Sequence, residues 1–167
     1  MKQPLVLAGK LAVFVLGAYL SGMWMTSYWC VGPIFGIVVV IWAAGAVRDL
    51  ISLRSGAFVA ASTVIYALVV RLHTVLFQPF SSHKDYSFLA LAAGTILLPV
   101  AHALCLKASW KRVMVAIPGL YASTFAAGWL IEVWHLDQGP LRGFLFNGAS
   151  VWQGLYLLFL FGRRPRG

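Results

Sequence analysis

Arg71, Glu132 and Asn147 each lie inside or at the end of an apolar run, where a polar side chain needs a partner or a purpose. Glu132 falls within Gly128-Trp129-Leu130-Ile131-Glu132-Val133-Trp134, and Arg71 follows Tyr66-Ala67-Leu68-Val69-Val70. Both side chains are long enough to snorkel to a surface or to pair across neighbouring helices. Asn147, Ser150 and Gln153 recur at three-residue spacing, which makes a polar stripe on one helical face. Such a stripe either ties helices together through hydrogen bonds or forms the wall of a polar pocket. Trp24, Tyr28, Trp29, Trp129 and Trp134 gather at a similar level along the runs. An aromatic belt at a membrane interface accounts for them, and flat walls for a planar ligand are the alternative. The candidate ligand-binding residues are Tyr66, Arg71, Trp129, Glu132, Trp134, Asn147 and Gln153. Their chemistry is recognition of a small solute rather than bond making.

Other chemistries find less support. His73, His83 and His135 with Glu132 are the residues a zinc or nickel ion would use. No H-x-x-x-H or H-x-x-E pair on one helix supports such a centre, so no metal is expected. His102 in Leu98-Pro99-Val100-Ala101-His102 reads as a hydrogen-bonded packing residue, since haem ligation would need a second histidine on a facing helix. There is no G-x-S-x-G and no phosphate-cradling glycine loop. No catalytic residue and no cofactor is expected. Cys30 and Cys105 have no metal spacing, and alternating spans set them near opposite membrane faces, so they should not pair.

The elements that must position these residues follow from composition. Of 167 residues, 61% are hydrophobic and 10% charged, too few charges to cover a soluble domain. A span of about 20 apolar residues crosses a hydrocarbon core about 30 Å thick, and six spans use roughly 120 residues. The expectation is an all-α polytopic membrane protein, one integral domain over 1–167. Its apolar runs fall at about 8–27, 31–47, 56–76, 87–106, 113–133 and 144–162. The first run is too long for a signal-peptide core and reads as a retained helix. Gly32-Pro33 disfavours continuity between the first two runs. Charged turns separate the rest, and Lys84, Asp85 and Asp137 read as solvated loop residues.

The net charge of +9 would suggest nucleic acid in a soluble domain, but here the bases lie between the apolar runs. They read as topology signals and lipid-headgroup contacts, and no nucleic-acid partner is expected. Ten Lys and Arg fall on the side of the termini, the second turn and the fourth turn, against three on the other side. Both ends are therefore expected in the cytoplasm, the orientation of a bacterial inner-membrane, multi-pass protein. Small residues recur at four-residue spacing in Ala8/Ala12, Gly32/Gly36, Ala57/Ala61 and Gly119/Ser123/Ala127, where helix backbones can approach closely.

Part of this pattern has a familiar form. Gly32-Pro33-Ile34-Phe35-Gly36, Ala44-Gly45-Ala46-Val47-Arg48-Asp49-Leu50-Ile51, Ser55-Gly56-Ala57-Phe58 and Ile65-Tyr66-Ala67-Leu68-Val69 together resemble the substrate-binding S components of energy-coupling-factor vitamin transporters. The match covers roughly 32–70. In that family Ala8-Gly9-Lys10-Leu11-Ala12 would be the A-x-x-x-A element that contacts a transmembrane coupling subunit, itself driven by ATPase subunits. The segment from Gly45 to Ser52, Asn147-Gly148 and the basic tail Arg163-Arg164-Pro165-Arg166 are also similar to the rod-shape-determining membrane protein D. The segment before Asp49 is shorter than is usual there, and no vitamin-specific pocket motif of the transporter family is present. The first resemblance implies a solute-binding transporter subunit, with an outward pocket between the third, fifth and sixth runs and Ala8 and Ala12 at a partner interface. The second implies a non-catalytic scaffold of a cell-envelope complex. A small membrane enzyme is the third reading.

Overall fold

A computed structural model describes residues 2–23, 28–77, 87–134 and 148–161 of the chain. Among them every regular element is a helix: α1 (Lys2–Met23), α2 (Tyr28–Ala43), α3 (Val47–Leu50), α4 (Leu53–Phe77), α5 (Ser87–Leu106), α6 (Trp110–Trp134) and α7 (Gly148–Phe161). The six long helices overlap the six apolar runs, with ends that differ by up to six residues, and α3 is a single extra turn in the charged segment between the second and third. The proline expectation needs correcting: α2 starts at Tyr28 and carries Pro33 inside it. Pro33 is only the sixth residue of that helix, so the ring removes one backbone bond near the helix start.

The ends of the helices are set by local chemistry. The Asp49 carboxylate accepts from the backbone N–H groups of Gly45 and Ala46, at 3.0 and 2.9 Å, which folds the chain out of α2 and into α3. The Asp49 carbonyl in turn accepts from the hydroxyls of Ser52 and Ser55, leading into α4. Lys107 follows α5 with φ of 56°, the left-handed position that commonly ends a helix, and residues 107–109 connect directly to α6.

The long helices close into a ring in chain order. α1 packs on α2, α2 on α4, α4 on α5, α5 on α6 and α6 on α7; α7 returns to α1 and also touches α2 across the middle. Direction alternates around the ring. Lys10 in the first half of α1 meets Trp42 at the end of α2, and Gly36 of α2 meets Val59 of α4 while Gly32 meets Thr63. Ser21 near the end of α1 meets Gln153 near the start of α7, and Arg112 at the start of α6 meets the carbonyl of Leu160 at the end of α7. Arg48, Arg54, Lys107, Lys111 and Arg112 therefore collect at one end of the bundle, its basic end.

The tightest seam is α2 on α4. A Cβ on Gly32 would lie 2.6 Å from the Thr63 Cα, and one on Gly36 2.9 Å from the Val59 Cα. Ser62 fills the seam, its one hydroxyl proton shared between the carbonyls of Gly32 and Val59 at 2.9 and 2.8 Å. Gly32 and Gly36 thus do what their spacing suggests, letting two backbones touch.

The outside of the bundle carries large apolar side chains, and the interior is mainly apolar with a few polar groups buried in it. Val115, Val64, Leu104, Met114 and Leu158 stand well exposed, whereas Ser21, Ser62, Thr95, His102 and Gln153 are buried. Among the described residues one helical stretch, Leu53–Leu72, is both long and apolar enough to cross a membrane, at 20 residues with mean hydropathy 1.7. Val6–Ser21, Cys30–Ala43, Ala92–Leu106 and Val151–Phe161 are shorter apolar helical stretches.

Candidate functional site

Phe35 of α2, Tyr66 of α4, and Trp152 and Tyr156 of α7 point into the ring and meet at its centre. Trp152 and Tyr156 are four residues apart, so they share one face of α7. The Phe35 ring lies 5.5 Å from Tyr66, 5.3 Å from Trp152 and 4.9 Å from Tyr156, the last in an edge-on arrangement. Tyr66 and Trp152 stand edge to face at 6.1 Å. These are the favoured geometries of aromatic pairs, and they hold α2, α4 and α7 at fixed spacing.

Polar groups divide this interior into two levels. Toward the basic end, the Tyr156 hydroxyl donates to the Leu98 carbonyl at 3.2 Å and lies 3.1 Å from His102 Nδ1. A hydroxyl has one proton, so with that proton on Leu98 the contact at Nδ1 is donated by the imidazole, which sets the Nδ1–H tautomer. Phe58 and Phe161 enclose the His102 ring at 5.6 and 5.3 Å. This level is satisfied and packed, the role the sequence suggests for His102.

The other level, nearer the opposite end, is not satisfied. Gln153 is fully buried, and its amide donates to the Ser21 hydroxyl at 2.9 Å. Its carbonyl oxygen Oε1, the Tyr66 hydroxyl and the Trp152 Nε1 are all enclosed, and none has a hydrogen-bond partner among the described residues. The Gln153 side chain is a hydrogen-bonding neighbour of the Tyr66 hydroxyl, although the contact lies outside ordinary hydrogen-bond geometry. The set comprises an indole donor, a hydroxyl that donates or accepts, and a carbonyl acceptor, framed by the rings of Phe35, Tyr66 and Trp152. No ionisable carboxylate, amine or guanidinium is among these groups. The arrangement can grip a small uncharged group by its hydrogen-bonding edge, and it contains no nucleophile-and-base pair.

Of the sequence candidates, Tyr66 and Gln153 come together here. Arg71 is exposed, five residues beyond Tyr66 on α4 and so about 140° around the helix from it. Trp129 stands on the outside of α6, 58% exposed. Glu132 and Trp134 belong to the last turn of α6 and His73 to α4, with side chains outside those described. Asn147, His83 and His135 lie outside the described residues altogether. Ala8 and Ala12 are exposed on α1, and a Cβ on Gly9 between them would meet nothing within 4 Å. Among the described residues no three metal-ligating side chains converge, and Cys30 and Cys105 are free thiols. Trp152, Phe35 and Ser21 join the site without being among the sequence candidates. The i, i+4 pair Trp152/Tyr156 beside Gln153 is a legible sign of an inward aromatic face, whereas Phe35 and Ser21 join only through contacts between distant helices. No family model, curated protein or solved structure matches the chain.

Proposed function

We propose that this chain is a multi-pass membrane protein of six spanning helices with both ends in the cytoplasm, and that it binds a small solute from the outer side as the substrate-binding subunit of a transporter. The exposed apolar side chains, with bonded polar groups held inside a mainly apolar interior, support the membrane setting, because lipid accepts exposed Val and Leu. The basic end then faces the cytoplasm. The observation that carries the solute reading is the trio of enclosed atoms on Tyr66, Trp152 and Gln153 that have no hydrogen-bond partner among the described residues, set toward the outer end of the ring. Buried polar groups are nearly always hydrogen-bonded, and leaving one unmet costs about 1–3 kcal/mol, so three together support the reading that a partner enters here. Glu132, Trp134 and Asn147 remain further contacts proposed from the sequence alone, whereas Arg71 and Trp129 are exposed away from Tyr66 and Gln153. Energy comes from a separate coupling subunit with its ATPases, which the exposed small residues Ala8, Gly9 and Ala12 let approach α1 closely.

Thermal unfolding of the detergent-purified protein against a panel of water-soluble metabolites tests this. A solute at a hundred times its dissociation constant stabilises the fold by about 2.7 kcal/mol. That shift should vanish in Tyr66→Phe combined with Gln153→Leu while helix content is kept. If the panel shifts nothing and pull-downs recover only envelope-assembly proteins, the cell-envelope scaffold replaces the transporter; turnover of a metabolite would favour the small membrane enzyme.

A further inference from the structure

The connection from α2 to α4 carries the three most exposed large apolar side chains among the described residues: Val47 is 77% exposed, Ile51 85% and Leu53 90%. The turn that presents them is tied down. The Asp49 carboxylate accepts from the N–H groups of Gly45 and Ala46, and the Asp49 carbonyl accepts from the hydroxyls of Ser52 and Ser55, so the backbone is held with these side chains outward. Leaving a Val, Leu or Ile in water instead of burying it forgoes about 1.5–3 kcal/mol. Arg48 and Arg54 flank the apolar group and are exposed, whereas Asp49, the acid of the turn, is engaged with its own backbone. Arg54 is the second residue of α4, at the positive end of that helix dipole, where a cation is disfavoured unless an anion lies outside it. The level of the turn is also fixed. The apolar stretch long enough to cross a membrane begins at Leu53 itself. The 16 residues of α2 span about 24 Å, short of a hydrocarbon core about 30 Å thick.

We propose that this turn is an interfacial anchor: Val47, Ile51 and Leu53 enter the boundary between headgroups and acyl chains of the cytoplasmic leaflet, and Arg48 and Arg54 reach the lipid phosphates. Segments that lie in a membrane surface combine apolar and basic side chains in this way. The planar guanidinium fork pairs with phosphate oxygens, and its aliphatic stem runs along apolar surface. A protein covering the turn from the cytoplasm would have to reach Leu53 at the start of a span, a level that lipid already occupies. The anchor rests on the membrane-spanning reading but is independent of the solute site.

Spin labels on single cysteines measure this depth in the full-length protein. Val47→Cys, Ile51→Cys, Leu53→Cys and Val64→Cys, each with Cys30→Ala and Cys105→Ala, are placed in vesicles of phosphatidylcholine and phosphatidylglycerol. Oxygen concentrates in hydrocarbon, whereas a nickel chelate stays in water. Collisions with oxygen should exceed those with the chelate at 47, 51 and 53, by less than at Val64, which is 66% exposed and eleven residues further along α4. Arg48→Gln with Arg54→Gln should lower that ratio at 51, and an unchanged ratio would overturn the phosphate contact. Chelate-dominated collisions at 51 and 53, with oxygen still dominant at 64, would overturn the anchor. So would shielding from both reagents, which means that protein covers the turn, or shielding found in native membrane vesicles and lost in pure lipid, the mark of a partner. Chelate dominance at 64 as well would instead overturn the spanning reading.

Discussion

A hydroxyl, an indole N–H and an amide oxygen, all buried and without hydrogen-bond partners among the described residues, work against folding and, in the solute reading, in favour of binding. The two effects separate experimentally. Tyr66→Phe removes one unmet group and keeps the ring against Phe35 and Trp152. It should raise the solute-free stability by about 1 kcal/mol while removing stabilisation by solute. Unfolding in a denaturing detergent titration, with and without solute, measures both. The neighbouring level predicts the opposite sign. Tyr156→Phe takes the acceptor from His102 and the donor from Leu98, so it should lower stability by about 1–3 kcal/mol; an unchanged midpoint would mean that the His102–Tyr156 pair does not help hold the fold. Tyr66 and Gln153 were legible in the sequence because each is a polar residue in an apolar run at helical spacing. Phe35 and Ser21 were not, because an apolar-run phenylalanine and a small hydroxyl carry no mark of their inward direction until α1, α2 and α7 are brought together.

At the scale of elements, the α2–α4 seam is the least forgiving. Gly36→Val would drive a branched side chain into the Val59 backbone, and neither helix can recede while Ser62 bonds the Gly32 carbonyl. A loss of at least about 2–3 kcal/mol, or failure to accumulate, is expected. Gly56→Ala, where a Cβ meets nothing within 4 Å, should instead be neutral or stabilising by up to about 1 kcal/mol. Lys107→Gly relieves a left-handed backbone at the end of α5 and should add about 0.5–1 kcal/mol, read as a rise in melting temperature. The runs of hydrophobic residues located all six long helices, since length and hydropathy suffice for that. Their ends were harder to read. The second run continues through Ala44-Gly45-Ala46-Val47, but the helix stops at Ala43 because the Asp49 carboxylate takes the N–H groups of Gly45 and Ala46. Pro33, which reads as a break, sits near enough to the start of α2 to be accommodated.

For the whole molecule, the order of helices around the ring and their alternation in direction bring five basic residues from two separate connections and the helix starts that follow them to one end. The sequence carries that asymmetry as a count of Lys and Arg, and the ring gives it a place. The proposed solute floor takes its orientation from it, near the end away from these bases. The most direct measurement is therefore the sidedness of single cysteines in a background of Cys30→Ala and Cys105→Ala, labelled on intact cells with a membrane-impermeant maleimide. Cysteines at Ser109, between α5 and α6, and at Gly167 should stay unlabelled until the membrane is opened, while one at Ser82 should label at once. Labelling that puts 109 and 167 on opposite faces, or 82 and 109 on the same one, would contradict the proposed bundle and the solute site with it.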